Sequence, residues 1–200
     1  MIRGQVMRRV ETSWRLLEDV FREHLHSLYR NLRRPASAAN LAYLERTIGR
    51  PIPPAWRRSL LVHDGVRRQP YTPFFNGSCL LSAREVARIW RMRCRAHAVD
   101  DPGGPEDADP RIRNDLWWRL GWIPITDQDG NYHVVDLDPA PGGKVGQVIL
   151  FRNSGGGGRV IASGYAAWLD HIAGLYHGRR FGFNVHGSPW MDDQTFFYGG

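Results

Sequence analysis

The sequence from residue 121 to residue 138 reads GWIPITDQDGNYHVVDLD, and it predicts a β-hairpin. Gly121–Thr126 is a short apolar run, and Tyr132–Leu137 is a second one. Asp129 and Gly130 lie between them, and an Asp-Gly pair flanked by apolar runs is a strong short-range signal of a tight hairpin turn. We therefore expect two antiparallel strands that are joined at this turn.

A second pair of strands is expected after the hairpin, at Val145–Phe151 and Arg159–Ser163. The glycine-rich residues 154–158 between them lack the Lys-Ser/Thr pair and the following helix that a phosphate-binding loop requires. We interpret this segment as a flexible hairpin loop. Tyr165–Tyr176 is expected to close the region as an amphipathic helix, because its apolar residues recur three and four positions apart.

The sequence before the hairpin predicts four helices and one or two weak strands. Apolar residues three and four positions apart predict the first helix, and serine, proline and glycine at the boundaries predict the others. The fourth helix begins at Ser82, for which Glu85 supplies the partner of a capping box. The predicted elements are helices at Val10–Leu32, between Ser37 and Gly49, at Ala55–His63 and from Ser82 to about Ala98, and weak strands within Tyr71–Leu81.

Helices first, then a meander of strands and then a closing helix predict an α+β fold with an antiparallel sheet flanked by helices. We divide the chain into an N-terminal helical extension at residues 1–34, an α+β domain at residues 35–178 and a C-terminal tail at residues 179–200. The tail is aromatic and rich in turn residues, and the sequence assigns it to no element.

The composition is that of a folded chain with a sizeable core, since 42% of the 200 residues are hydrophobic. No apolar run approaches the roughly 18 residues of a membrane-spanning helix, and no apolar segment follows the basic N-terminus as it would in a signal peptide. Cys79 and Cys94 are too few for a disulfide scaffold, which favours a reducing compartment. We therefore expect a cytoplasmic protein that does not bind a membrane.

The charge is strongly basic, with 27 basic residues, 20 acidic residues and a net charge of +7. Every basic residue except Lys144 is an arginine, whose guanidinium group forms forked contacts with carboxylates and phosphates. Four arginines on the fourth predicted helix are spaced four, three and four residues apart, so they share an arc of roughly 60°. These are Arg84, Arg88, Arg91 and Arg95.

The arginine row has two interpretations. It can bind an acidic protein surface or a phosphate backbone, or it can be the solvated side of an amphipathic helix. The loop that follows carries acidic residues that could fold back and neutralise the row. These acidic residues are Asp100, Asp101, Glu106, Asp107 and Asp109.

The sequence contains none of the motifs that we would associate with catalysis. We find no HExxH, CxxC or GxSxG pattern and no Cys/His cluster. Asp127, Asp129 and Asn131 alternate, but Gly130 stands at the fourth position of that segment, not at the sixth position of a calcium loop. We therefore expect no enzyme, no metal and no cofactor.

Several short motifs follow one another in an order and spacing that resemble a known family. They are Trp118, Gly121–Thr126, Val135–Pro139, Gly146–Val148, and Ala162–Ser163 ahead of Trp168–Leu169. This pattern resembles the SUKH superfamily, specifically its fungal cell-wall-regulator-like (Smi/Knr) branch. Leu41–Gly65, with its Ile-Gly, Ile-Pro-Pro and His-Asp-Gly steps, is also similar, so the resemblance covers about residues 37–177.

The resemblance implies an α+β fold and a function in binding another protein. In bacteria it implies an immunity protein that binds and blocks a cognate toxin, and in fungi it implies a regulatory scaffold. We predict the immunity function, by occlusion of the toxin without catalysis. The alternatives are a regulatory scaffold and an arginine-rich protein that binds nucleic acid, although the acidic loop makes nucleic acid the less favoured partner.

The positive net charge bears on which residues would bind such a toxin. A nuclease toxin with a basic surface would repel a basic inhibitor unless the acidic residues of the inhibitor cluster locally. The predicted partner-binding residues are Asp64, Asp127, Asp129, Asp136 and Asp138, together with Arg84, Arg88, Arg91 and Arg95.

The motif residues also have a structural interpretation, which we favour over direct binding. Trp122 and Ile125 can pack the sheet against helices, since buried aromatic side chains usually serve packing. Pro124 suits an edge strand because it donates no ladder hydrogen bond. The side chain of Asp136 can cap free backbone N–H groups where its strand ends.

Overall fold

The computed structural model of the chain describes residues 2–68, 71–98, 103–104, 107–191 and 193. Most of the helices precede a meander of antiparallel strands, which confirms the α+β class. The helices are α1 (Ile2–His24), α2 (His26–Asn31), α3 (Ala38–Ile48), α4 (Pro54–Leu60), α5 (Ala83–His97) and α6 (Tyr165–His177). The strands are β1 (Cys79–Leu80), β2 (Trp122–Pro124), β3 (Thr126–Asp127), β4 (Tyr132–Asp136), β5 (Gln147–Arg152), β6 (Gly156–Ala162), β7 (Gly182–Phe183) and β8 (Pro189–Trp190).

The largest sheet has four antiparallel strands in the order β2-β4-β5-β6. Its first hairpin pairs β2 with β4, with Trp122 opposite Asp136, at the place where the sequence predicts a hairpin. The predicted first strand is divided, because Thr126 and Asp127 form β3 and pair with β1 in a separate sheet. At the turn, both Asp129 (φ 50°) and Gly130 (φ 91°) have left-handed backbone conformations. Two such residues in succession characterise the tight turn whose twist matches that of the flanking strands. Pro124 lies in β2, at the edge of this sheet, where its missing N–H costs no ladder bond.

The second hairpin differs from the prediction in the length of its loop. Strand β6 begins at Gly156, so that most of the glycine run belongs to the strand and not to the loop. The pairing of β5 with β6 shifts register twice, between Val148 and Ile149 and between Leu150 and Phe151. An edge strand tolerates glycine and such irregularities because it has a neighbour on one side only.

The helix boundaries follow local capping chemistry. The Ser37 side chain accepts a hydrogen bond from the Asn40 N–H, and Gly49 ends α3 in a left-handed conformation (φ 73°). At the start of α5, the Ser82 N–H donates to the Glu85 carboxylate at 2.9 Å, and the Ser82 hydroxyl accepts from the Glu85 N–H. The predicted capping box is therefore confirmed.

The first predicted helix is divided in the structure. It starts earlier than expected, and it is interrupted at Leu25, whose backbone (φ −131°, ψ 53°) is not helical. Helix α1 packs against α4 and α6, and its apolar face contributes Trp14, Leu17 and Phe21 to the common core. The N-terminal segment and the predicted domain at residues 35–178 therefore share one hydrophobic core.

The described part of the C-terminal segment is tied to the domain. Strands β7 and β8 form a short antiparallel pair. The Asn76 side chain accepts a hydrogen bond from the Met191 N–H at 2.6 Å and donates one to the Met191 carbonyl at 3.0 Å. Among the residues that the structure describes, no helix is both long enough and apolar enough to span a lipid bilayer.

Candidate functional site

Helix α5 presents the arginine row that the sequence singles out. The inner side of the helix is apolar, with Val86 fully buried and Ile89 2% exposed. The half-buried Trp90 donates its indole N–H to the Leu120 carbonyl at 3.1 Å. These contacts fix the rotation of the helix about its axis. We call the four arginines on its other side, Arg84, Arg88, Arg91 and Arg95, the α5 basic strip.

Two arginines of the α5 basic strip are held by helix α3. The guanidinium carbons of Arg84 and Arg91 lie 5.0 Å and 5.1 Å from the centre of the Tyr43 ring. Arg91 also donates hydrogen bonds to the Tyr43 hydroxyl and, at 3.0 Å, to the Thr47 hydroxyl. Such cation–π contacts favour a defined orientation of the guanidinium plane. Part of the strip is therefore positioned before any ligand arrives.

The other two arginines of the strip are exposed to solvent. Arg88 and Arg95 flank Met92, whose side chain is 47% exposed. Within the described ranges, none of the four strip arginines forms a salt bridge with a carboxylate. Among the residues that the structure describes, the strip therefore combines positive charge that no carboxylate pairs with and an exposed apolar side chain.

The acidic loop that follows α5 and could neutralise the strip is described only in part. Asp109 forms a salt bridge with Arg111 at 2.5 Å, and hydrogen bonds from Arg111 lower the pKa of Asp109. Asp107 lines a cleft beside β6. Asp100, Asp101 and Glu106 lie outside the described residues. The acidic residues that the structure places in this loop are therefore not paired with the strip.

Arg93, on the same helix, has a structural role that the sequence did not reveal. It points toward the sheet and donates hydrogen bonds to the Gly130 carbonyl at 3.0 Å and to the Asn153 side chain at 2.8 Å. Its position on the helix gave a signal, because residue 93 lies on the side of α5 that carries the buried Val86 and Ile89. An arginine on that side has to find polar partners within the fold.

Two of the five carboxylates predicted to bind a partner are buried. Asp64 is 8% exposed and accepts a hydrogen bond from the Ala83 N–H at 2.7 Å, at the first turn of α5. Asp136 is fully buried and accepts hydrogen bonds from the Asp138 N–H and the Gln147 amide, both at 2.9 Å. Burial raises the pKa of both carboxyl groups. Both groups therefore serve the architecture of the chain itself.

The other three predicted carboxylates lie at separate places. Asp127 forms a salt bridge with Arg68 at 2.9 Å, and Asp129 is exposed at the hairpin turn. Asp138 forms a salt bridge with Arg119 at 2.8 Å, beyond the end of β4 that is opposite the turn. The structure therefore does not bring the five carboxylates together into one exposed patch.

A cleft of about 640 Å³ lies between β6, the 107–111 segment and α6. Its lining includes the Asp109–Arg111 salt bridge and the side chains of His171 and Asp193, whose nitrogen and oxygen are 2.9 Å apart. Among the described residues, no group of three or more His, Cys, Asp and Glu side chains is arranged to hold a metal ion. The cleft can accept a polar group, although Asp109 already pairs with Arg111 and His171 already contacts Asp193.

Comparison with known proteins places this architecture in a family. The model of the SMI1 / KNR4 family (SUKH-1) matches residues 35–171. The chain is 29% identical over 200 residues to the cell wall biosynthesis/cell cycle regulator smi1 of Schizosaccharomyces pombe, covering 92% of this chain and 38% of that protein. It is 27% identical over 213 residues to a glucan synthesis regulatory protein of Neurospora crassa, covering 86% of this chain and 39% of that protein.

A third relative matches the chain over a shorter stretch but with higher sequence identity. Over 91 residues the chain is 48% identical to a KNR4/SMI1 homolog of Kluyveromyces lactis, which covers 45% of this chain and 16% of that protein. The chain thus spans less than half the length of each of these three relatives.

These relatives overturn the predicted immunity function. They are fungal proteins, and two of them are named as regulators of cell-wall or glucan synthesis, so the interpretation as an inhibitor of a bacterial toxin is wrong. The predicted resemblance to the SUKH superfamily is confirmed, but the function was predicted from the bacterial members of the superfamily and not from its fungal members. Since the family model covers well over half of the residues, the chain belongs to the SMI1 / KNR4 (SUKH-1) family.

Proposed function

We propose that the chain is a regulatory scaffold domain of cell-wall synthesis, which binds another protein and catalyses no reaction itself. The observation that carries this proposal is the match to the fission-yeast cell-wall regulator across 92% of the chain. The match spans both the helical N-terminal part and the sheet, so the comparison concerns the whole folded unit. Because the chain spans 38% of that relative, the proposal concerns a domain and not the complete regulator.

The surface of the chain supports a role in protein binding. Interface hot spots are enriched in arginine and aromatic side chains, and methionine is enriched at interfaces in general. The exposed side of α5 carries Arg88, Met92 and Arg95 together, and Arg84 and Arg91 are held on the Tyr43 ring beside them. Cys79 and Cys94 are both free thiols, which fits a reducing compartment, so the proposal places the chain in the cytoplasm.

A domain replacement in fission yeast tests the proposal. The segment of the smi1 relative that matches this chain is replaced by this chain, and cell-wall glucan content and resistance to a glucan-digesting enzyme are measured. If the chain is a regulatory scaffold of this pathway, the chimera restores both measurements relative to cells that lack the segment. Normal accumulation of the chimera without any restoration would refute the proposal.

A folding-deficient variant provides the matched control. Leu17 is fully buried in helix α1, so Leu17→Asp places a carboxylate in the core and prevents folding. This variant must lose whatever the wild-type chimera restores, because restoration by an unfolded chain would mean that the remainder of the relative is sufficient.

A further inference from the structure

We propose that the α5 basic strip, with Met92 beside two of its arginines, docks an acidic segment of a partner protein whose Asp or Glu residues are spaced three and four positions apart. This inference rests on the proposed scaffold function and names the chemistry of the partner. It is carried by charge complementarity: four guanidinium groups share one side of a helix, and the described residues give them no carboxylate in a salt bridge.

The geometry of the strip selects the form of the acidic segment. Its arginines are spaced four, three and four residues apart, which places them along about 16 Å of helix axis. Carboxylates at the same spacings lie on one side of a partner helix and recur with the same rise. Each guanidinium fork can then meet one carboxylate in a charge-assisted hydrogen bond.

The anchoring of Arg84 and Arg91 reduces the entropic cost of this interaction. Both guanidinium groups already lie against Tyr43, and Arg91 is also hydrogen-bonded to Thr47. Side chains that are ordered in the free protein lose less rotamer freedom on binding. Arg88 and Arg95 have no such contact with the described part of the chain, and both are exposed, so they can adjust to the partner.

Met92 distinguishes a protein partner from a nucleic acid. Its side chain is 47% exposed and lies beside Arg88 and Arg95, at spacings of four and three residues along the helix and at one edge of the strip. An apolar side chain at the edge of the basic strip gains by burial against an apolar side chain of a peptide, and it gains nothing against a phosphate. A single row of four arginines is also short compared with surfaces that contact about 6–10 phosphates of a duplex.

Fluorescence anisotropy with a defined peptide tests the inference. The probe is a fluorescein-labelled helical peptide with Glu at successive spacings of four, three and four residues and one central Leu, and its matched control carries Gln in place of Glu. We expect the full chain to bind the Glu peptide, the affinity to fall with added salt, and the Gln peptide not to bind. The double variant Arg88→Glu/Arg95→Glu is expected to weaken binding by about tenfold or more.

A double variant with the same change in charge on another helix distinguishes binding at the strip from an effect of the net charge of the chain. Arg8 and Arg15 are exposed on α1 with the same spacing of seven residues, so Arg8→Glu/Arg15→Glu makes the same change in charge. We expect this variant to bind the peptide within about twofold of wild type. Equal losses in the two double variants, or no binding of the Glu peptide by wild type, would overturn the inference.

Two further outcomes decide between partners and between proposals. If a single-stranded oligonucleotide of the same charge binds more tightly than the peptide and depends on Arg88 and Arg95, the strip is a nucleic-acid surface and the inference fails. If the peptide binds as expected but the domain replacement restores nothing, the inference stands and the cell-wall function fails. A chimera that works equally well with Arg88→Glu/Arg95→Glu would leave the cell-wall function intact and remove the strip from it.

Discussion

The guanidinium group of Arg93 joins helix α5 to the central hairpin through Tyr132. Two of its nitrogens donate to the Tyr132 hydroxyl at 3.1 Å and 3.2 Å, and its central carbon lies 4.9 Å from the centre of that ring. A further bond from Arg93 reaches the Gly130 carbonyl in the turn. The same helix therefore attaches to the sheet by one arginine and presents the α5 basic strip on another side.

Replacement of Arg93 is expected to destabilise the chain. Arg93→Ala leaves the Gly130 carbonyl and the Tyr132 hydroxyl without these partners, so we expect a loss of about 2–3 kcal/mol in the free energy of unfolding. Arg93→Lys keeps the charge but not the fork and is expected to recover only part of the loss. Urea denaturation measures both. Arg88→Ala, on the exposed side of the helix, serves as the control and is expected to change the free energy of unfolding by less than about 0.5 kcal/mol. Equal stability of the two alanine variants would contradict this role of Arg93.

The hydroxyl of Ser59 is expected to contribute more to the free energy of unfolding than its small size suggests. It accepts a hydrogen bond from the Trp14 indole N–H at 2.8 Å and lies 2.7 Å from the Tyr165 hydroxyl, all within the core. Ser59→Ala leaves both groups buried without this partner, so we expect a loss of about 2–3 kcal/mol and a lower Tm in calorimetry. Ser163→Ala, at an exposed position, is expected to have almost no effect. A Ser59→Ala protein as stable as wild type would show that water replaces the hydroxyl.

The features that the sequence predicted correctly depend on neighbouring residues. The Asp129–Gly130 turn and the capping box of Ser82 and Glu85 are decided within four residues, so local chemistry is sufficient to identify them. The break at Leu25 has no such signal, since neither proline nor glycine stands there. It depends on how α1 and α2 pack against the remainder of the chain, and a single sequence does not contain that information.

The candidate site, too, was predictable from the sequence only where it depends on residues of one helix. The spacing of the α5 basic strip follows from helical periodicity, and the sequence predicted it. Periodicity does not reveal that Tyr43 lies against two of its arginines, because Tyr43 belongs to another helix. The sequence likewise does not reveal the burial of two predicted acidic residues: Asp64 and Asp136 look like surface residues by type, but each is buried with backbone or amide donors around it. Residue type alone does not distinguish a buried carboxylate from an exposed one.

The buried imidazole of His133 is expected to make stability fall at acidic pH. Burial lowers its pKa to about 3, and its Nδ1 accepts a hydrogen bond from the Trp168 indole N–H at 3.1 Å, so the ring is neutral in the folded chain. In the unfolded chain it binds a proton below its usual pKa of about 6.5. Between about pH 6.5 and pH 3 the unfolded state therefore binds more protons than the folded state. The contribution of His133 to the free energy of unfolding is complete above this pH range. It is lost progressively as the pH falls through the range, by about 1.4 kcal/mol per pH unit.

A variant without the titrating group isolates this effect. His133→Gln is expected to be less stable than wild type at neutral pH, because the polar contact is altered, but its stability should fall less steeply between pH 6.5 and pH 4. The free energy of unfolding is measured in urea at each pH for both proteins. His186→Gln, at an exposed position, should leave the slope unchanged. Parallel pH profiles for wild type and His133→Gln would show that the ring is protonated without unfolding.

Removal of residues 1–34 is expected to prevent folding, although the family match begins at residue 35. Helix α1 buries Trp14, Leu17 and Phe21 almost completely, and the Phe21 ring meets the Tyr176 ring of α6 edge-on with centres 4.9 Å apart. Burial of each such side chain contributes about 1.5–3 kcal/mol, so their joint loss is comparable to the whole stability of a small domain. Loss of α1 would also leave the apolar surface of α4 and α6 open to water.

The fragment 35–200 is therefore expected to be expanded or aggregated, with poorly dispersed amide signals in NMR and no cooperative thermal transition. Addition of a separate peptide of residues 1–34 is expected to restore dispersion, because most of the missing core contacts lie along one apolar face of α1. Removal of residues 2–7 alone is the control and should be tolerated, since the described side chains in that stretch are exposed or half-buried. A fragment 35–200 that unfolds cooperatively near the Tm of the full chain would show that α1 is an independent appendage, and that the smaller core is sufficient by itself.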